Sequence, residues 1–206
     1  MKRSTPAGVA MMLGSVLVII TILFEYQIGW IGTPREAAAV PEFILSQWSS
    51  LKLIWSFQML GHGLLALSYL LLFRESSSLQ AAAWGALTLF ALLVIFALGI
   101  TLGGYEAALQ VHATQPAVFE ALRGSVRGLY SPGLFGGLVL FTLLYLSQTV
   151  AADGVVARRL GGVTLVLFGA ALAIGAATPL TVKVTGATCF LLPLTMGYCL
   201  ARPKNP

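Results

Sequence analysis

Long apolar blocks separated by short polar breaks dominate the chain, and their length is the first constraint on the fold. Six blocks, residues 7–31, 51–73, 82–104, 133–150, 160–177 and 182–201, approach the roughly 20 residues that a helix needs to cross about 30 Å of hydrocarbon. Within each block apolar side chains follow one another without the period-two alternation of a barrel strand. Only helices and closed barrels satisfy every backbone N–H and C=O in lipid. The pattern therefore predicts an all-α, polytopic transmembrane helical bundle of about six spans, forming a single transmembrane domain over residues 1–206. The first block follows Met1-Lys2-Arg3, as a signal peptide would, but it exceeds an ordinary apolar signal core and is read as a retained span.

Two polar stretches are longer than the other breaks. In the second, between the third and fourth spans, Val118, Leu122, Val126 and Leu129 share one helical face, and Glu120, Arg123 and Arg127 the opposite one. That pattern predicts a short helix lying in the membrane interface within the outer loop. Pro41, Phe43, Ile44 and Trp48 predict a similar half-buried excursion in the first long loop. With the N-terminus in the cytoplasm, Lys2, Arg3, Arg74, Arg158, Arg159, Arg202 and Lys204 fall on that side, against Arg35, Lys52, Arg123, Arg127 and Lys183 on the other. This bias follows the positive-inside rule, predicting cytoplasmic N- and C-termini and both long loops outside.

Composition supports the same setting. Of the 206 residues, 58% are hydrophobic and 9% charged, against about 25% charged in soluble domains, whose surfaces must face water. The mean hydropathy is +0.90. The formal charge of +5 comes from basic residues scattered at block ends; no continuous stripe tracks a phosphate backbone, which argues against nucleic-acid binding. Cys189 and Cys199 are ten residues apart, about 15 Å along a helix, too far for a disulfide. The chain has no G-x-S-x-G, H-E-x-x-H, C-x-x-C or G-x-x-x-x-G-K-[ST], so no catalytic residue, metal site or cofactor is assigned.

Ionisable residues at membrane depth are costly and each is a candidate site. The ligand-binding candidates are Glu25, Tyr26, His62, Tyr105, Glu106 and Lys183. At about 1.5 Å per residue Glu25, Glu106 and Lys183 fall in the outer layer, whereas His62 lies near the midplane, about 10 Å or more deeper. A shared metal, with ligand bonds of about 2 Å, is thereby disfavoured. Two readings of the outer layer stand side by side. One is a set of interfacial ion pairs joining Glu25 or Glu106 to Lys183 or Lys52; the other is a polar vestibule orienting the head of an amphiphile. His62, between Gly61 and Gly63, is expected to hydrogen-bond across a helix interface to Thr142 or Ser15, or alternatively to relay protons. Gly99/Gly103 and Gly133/Gly137 are potential close-packing pairs, and Pro193 predicts a kink in the sixth span.

Gly133-Leu134-Phe135-Gly136-Gly137 with Leu143-Leu144-Tyr145-Leu146, and Arg158-Arg159-Leu160-Gly161-Gly162-Val163, resemble small bacterial six-helix inner-membrane proteins of unassigned function. The resemblance implies a bacterial inner-membrane setting and carries no functional residue. The functional expectation is a non-enzymatic membrane protein that binds a lipid-like or small amphiphilic ligand, or an accessory subunit of a membrane complex. Its expected partners are membrane lipids and a membrane-protein partner or second copy. The alternatives are a small proton-coupled transporter using His62 and an intramembrane lipid-modifying enzyme with Glu25 or Glu106 as general acid–base.

Overall fold

The computed structural model describes residues 4–151, 154–177 and 187–202. These build seven α-helices and one 3-10 turn and contain no strand. In chain order they are α1 (Thr5–Gln27), the 3-10 turn (Ala37–Ala39), α2 (Val40–Ser46), α3 (Trp48–Glu75), α4 (Ser78–Gln110), α5 (Pro116–Val150), α6 (Arg158–Ala177) and α7 (Leu191–Ala201). Four of them, α1, α3, α4 and α5, are long and apolar enough to cross a membrane. Large apolar side chains stand exposed along all four, among them Leu13, Leu23, Leu53, Phe57, Leu89, Phe96, Phe135 and Leu143. So wide an apolar surface suits lipid rather than water.

Local signals set the helix ends. Pro6 lies in the first turn of α1 and Pro116 in that of α5, where a missing N–H costs nothing. The chain leaves α1 through Gly29 and Gly32, whose φ angles of 77° and 80° suit a residue without Cβ. The excursion expected in the first long loop is α2, which buries Pro41 and Ile44.

The separate interfacial helix expected in the second long loop is corrected by the structure: residues 118–129 are the opening turns of α5, which continues through Pro132 into the expected fourth span. A proline within a helix removes one N–H donor. Here that cost is offset by packing on α4, since Phe119 is fully buried and Leu122 and Val126 pack beside it. The buried stripe is therefore Phe119, Leu122, Val126 and Tyr130, and Val118 is exposed. At 33 and 35 residues, α4 and α5 are about 50 Å long, so their joined ends extend past any apolar layer of about 30 Å. The expected fifth span coincides with α6; of the sixth, α7 is described and residues 182–186, with Lys183, lie outside the described residues. Pro193 sits in the first turn of α7, just after a turn at residues 189–190 that follows helical residues 187–188, so the described part of the sixth span is interrupted directly before the proline.

α3 packs on α1 and α4, and α5 on α4; α7 packs on α1 and touches α5 and α6, closing the ring. Glycines set the tightest approaches. A Cβ on Gly14 would stand 2.7 Å from the Gly61 carbonyl oxygen, and one on Gly61 2.8 Å from Val18 Cγ2. Gly8 and Gly197 play the same part between α1 and α7, and Gly133 meets the Phe90 carbonyl oxygen between α4 and α5. Gly99 and Gly103 face open space. Hydrogen bonds also cross between helices: Ser68 Oγ donates to the Ala7 carbonyl at 2.9 Å, and Tyr145 and Thr195 share a hydroxyl contact of 2.9 Å.

Gly14→Ala is expected to lower the thermal midpoint of the detergent-solubilised protein by several degrees, because backbone must shift to admit the methyl group. Gly103→Ala is expected to leave the midpoint unchanged or raise it, since alanine favours a helix interior. Equal effects of the two changes would show that the Gly14–Gly61 approach does not determine stability.

Candidate functional site

Aromatic side chains organise the distal end of the bundle, where α1 ends, α3 begins and α4 meets α5. Trp30 stands edge-on to Trp55 at 5.7 Å, Trp55 to Tyr105 at 6.1 Å, and Tyr105 to Phe119 at 5.3 Å. These are the T-shaped arrangements that ring quadrupoles favour. Phe43 of α2 stacks on Trp30 at 6.1 Å. The Arg35 guanidinium lies 3.5 Å from the Phe43 ring centre and donates to the Gly29 carbonyl at 2.5 Å. The loop after α1 is thus held down over α2 and α3.

These rings border a cavity of about 330 Å³, within the roughly 300–1,000 Å³ typical of small-molecule sites. Four helices contribute polar groups: Glu25 from α1, Gln58 from α3, Thr101 and Tyr105 from α4, and Arg123, Arg127, Tyr130 and Ser131 from α5. Trp30, Trp55, Ile44 and Leu98 complete much of the wall.

Glu25 is 4% exposed. Trp55 Nε1 donates to Glu25 Oε1 at 2.8 Å, the carboxylate's one hydrogen bond among the described residues, and no described cation lies within ion-pair distance. A buried carboxylate with a single neutral donor is incompletely compensated for lost hydration. At the mouth, Arg123 pairs with Glu120 at 3.2 Å. Arg127 is exposed and has no protein acceptor among the described residues. The cavity thus has a buried carboxylate at its deep end and an uncommitted guanidinium at its mouth.

The structure separates the six residues singled out from sequence. Glu25 and Tyr105 line the cavity. Tyr26, one residue further along α1, packs towards the other core cluster. Glu106 lies outside the cavity; a step of one residue from Tyr105 turns about 100° around the helix, and its carboxylate pairs with Lys52 at 3.8 Å in a half-exposed contact. Lys183 is outside the described residues. His62 lies seven residues beyond Trp55 on α3, about 10 Å deeper, in a second, mostly apolar cavity of about 60 Å³.

The histidine is 4% exposed, its ring stands edge-on to Phe190 at 5.7 Å, and Nε2 has no partner among the described residues. The expected bonds to Thr142 and Ser15 do not form. Thr142 donates to its own helix at the Leu138 carbonyl, 2.8 Å, and Ser15 to the Met11 carbonyl, 2.7 Å, the back-bonding available to any helical hydroxyl. Among the described residues no three His, Cys, Asp or Glu side chains converge as a metal site would require.

Sequence reasoning missed Trp55, Gln58, Arg123, Arg127 and Tyr130 as cavity residues. Two helical spacings held the signal: Trp55, Gln58 and His62 at i, i+3 and i+7 on α3, and Arg123, Arg127 and Tyr130 at i, i+4 and i+7 on α5.

Trp55→Phe should destabilise the protein by about 1–3 kcal/mol, because it strips a buried acceptor of its donor. In a Glu25→Gln background the same change should cost less, giving a coupling of about 0.5 kcal/mol or more in a thermal-unfolding double-mutant cycle. Strict additivity would mean that the Trp55–Glu25 bond contributes nothing to stability.

No protein-family model matches the chain, and neither the curated proteins nor the solved structures include a significant match to it.

Proposed function

We propose that this is an integral, multi-pass membrane protein of the bacterial inner membrane that binds the polar head of a lipid-like amphiphile in the distal cavity. In this reading α6 and α7 complete six spans, both termini are cytoplasmic, and the cavity faces outward. One observation carries the functional part: a polar cavity of about 330 Å³, containing a buried and incompletely compensated carboxylate, lies at one end of a bundle whose sides are apolar. A ligand there can present a polar head to Glu25, Gln58, Thr101 and Tyr130 while its apolar tail follows the exposed leucines and phenylalanines outside. The reading is one of binding rather than catalysis.

The projecting ends of α4 and α5 favour a second reading, an accessory subunit of a membrane complex. Exposed Val111 and Val118 border a shallow apolar groove there, with Gly104, Ala108 and Leu122. A membrane-protein partner or a second copy would cover such a surface.

Native mass spectrometry of protein released from mild detergent tests the binding reading. The wild type should retain an adduct of lipid-like mass. Ser131→Phe, which adds a ring to the cavity wall, should reduce occupancy by about tenfold or more, equivalent to about 1.4 kcal/mol. Glu106→Ala should keep the adduct, since that carboxylate faces away from the cavity. A bare wild-type chain, or an adduct indifferent to Ser131→Phe, would remove the cavity from the reading.

A further inference from the structure

The deep and shallow ends of the distal cavity carry ionisable groups of opposite type, a carboxyl and a guanidinium. At the deep end Glu25 has Trp55 as its one described hydrogen-bond donor. The aromatic residues Trp30, Trp55, Tyr105 and Tyr130 line the same cavity. At the mouth Arg127 has no described acceptor, while the charge of Arg123 is shared with Glu120. One carboxyl group without a described cation and one guanidinium without a described acceptor therefore line a single cavity. A purely anionic head would meet the Glu25 carboxylate, and a purely cationic one would meet Arg127.

We propose that the deep end is a subsite for an organic ammonium group and the mouth a subsite for the phosphate attached to it, so that the ligand is a zwitterionic phospho-alkylammonium head group. Aromatic faces attract alkylammonium ions through the ring quadrupole, more strongly where water is excluded. A buried carboxylate beside them supplies the counter-charge and accepts any ammonium N–H. A guanidinium fork matches phosphate oxygens in geometry as well as charge. A bare metal cation fits the deep end less well. Hard cations take six or more oxygen ligands, whereas no described group of three acidic or metal-ligating side chains converges here. The cavity volume also far exceeds an ion.

The ligand class deepens the amphiphile reading and rests on it for the source of the head group, but not for the head group's chemistry. A soluble phospho-alkylammonium compound would satisfy the same groups.

The test uses the full chain, delipidated in neutral detergent. Matched-chain phosphatidylethanolamine and phosphatidylglycerol are titrated with native mass spectrometry as the readout. Choline phosphate and tetramethylammonium are titrated separately and read by tryptophan fluorescence. The ethanolamine lipid is expected to bind about tenfold more tightly than the glycerol lipid, a difference of about 1.4 kcal/mol. Glu25→Gln should abolish that preference. It keeps a carbonyl acceptor for Trp55, and an unchanged thermal midpoint establishes that the fold is intact. Arg127→Gln, at an exposed position, should weaken both lipids and choline phosphate but leave tetramethylammonium unaffected.

Equal or tighter binding of the glycerol lipid by the wild type, or a preference that survives Glu25→Gln, overturns the ammonium subsite while leaving amphiphile binding in place. Glu25-dependent binding of choline phosphate with no binding of either lipid upholds the subsite and overturns the lipid source. Binding of none of the four overturns both.

Discussion

The close approach of α1 and α3 at Gly14 and Gly61 is the constraint on which the distal end depends. The two helices run antiparallel, as the Ser68–Ala7 and Trp55–Glu25 bonds on either side of the glycine contact require. From Val18, which touches Gly61, to Glu25 is seven residues along α1; from Gly61 back to Trp55 is six along α3. Both steps rise about 10 Å, so the two side chains stand at nearly the same height. Each Cα–Cβ bond tilts towards its own helix N-terminus, which lowers the Glu25 carboxylate and raises the Trp55 indole until they meet. Widening the contact by a methyl group would move both partners of the one described bond that holds the carboxylate.

Helix α5 supplies the other wall, and its continuity through Pro132 is what makes the cavity two-sided. Had the chain broken there, Arg123 and Arg127 would belong to a separate surface helix. Because α5 continues, Arg123, Arg127, Tyr130 and Ser131 face the α1–α3 seam. Proline removes a hydrogen bond inside the helix, leaving the carbonyl one turn earlier without its usual donor. Packing of Phe119, Leu122 and Val126 on Tyr105, Ala108 and Leu109 fixes the opening turns in place of that bond. The same packing sets Phe119 edge-on to Tyr105 and so orients a ring of the cavity wall.

Much of the bundle was legible because apolar block length is a direct physical requirement of a spanning helix, and α1, α3 and α6 fall close to the blocks read from sequence. The opening of α5 was misread because Gly124, Gly128 and Pro132 lower helix propensity locally, whereas tertiary contact at Phe119 outweighs them. Glu25 and Tyr105 were legible as polar groups at a costly depth. Their aromatic and basic partners were not, because tryptophan and tyrosine near span ends normally read as interface anchors and arginines in a loop as solvated charge. Glu106 shows the converse limit: depth alone does not distinguish it from Glu25, and only rotation about the helix axis places one outside and the other in the cavity.

The layering of polar groups along α3 bears on what the bundle can do with the two cavities. Trp55 and Gln58 line the larger one and His62 the smaller, so one helical face passes from a hydrogen-bonded polar region to an apolar one within about two turns. The described lining of the smaller cavity includes Leu65, Val94, Leu134 and Phe141, and His62 Nε2 finds no partner among described residues. Glu25, by contrast, is joined to a donor and opens onto a cavity with further polar groups. The hydrogen-bonded polar layer of the bundle therefore lies at Glu25, and the histidine layer beneath it packs against mostly apolar side chains.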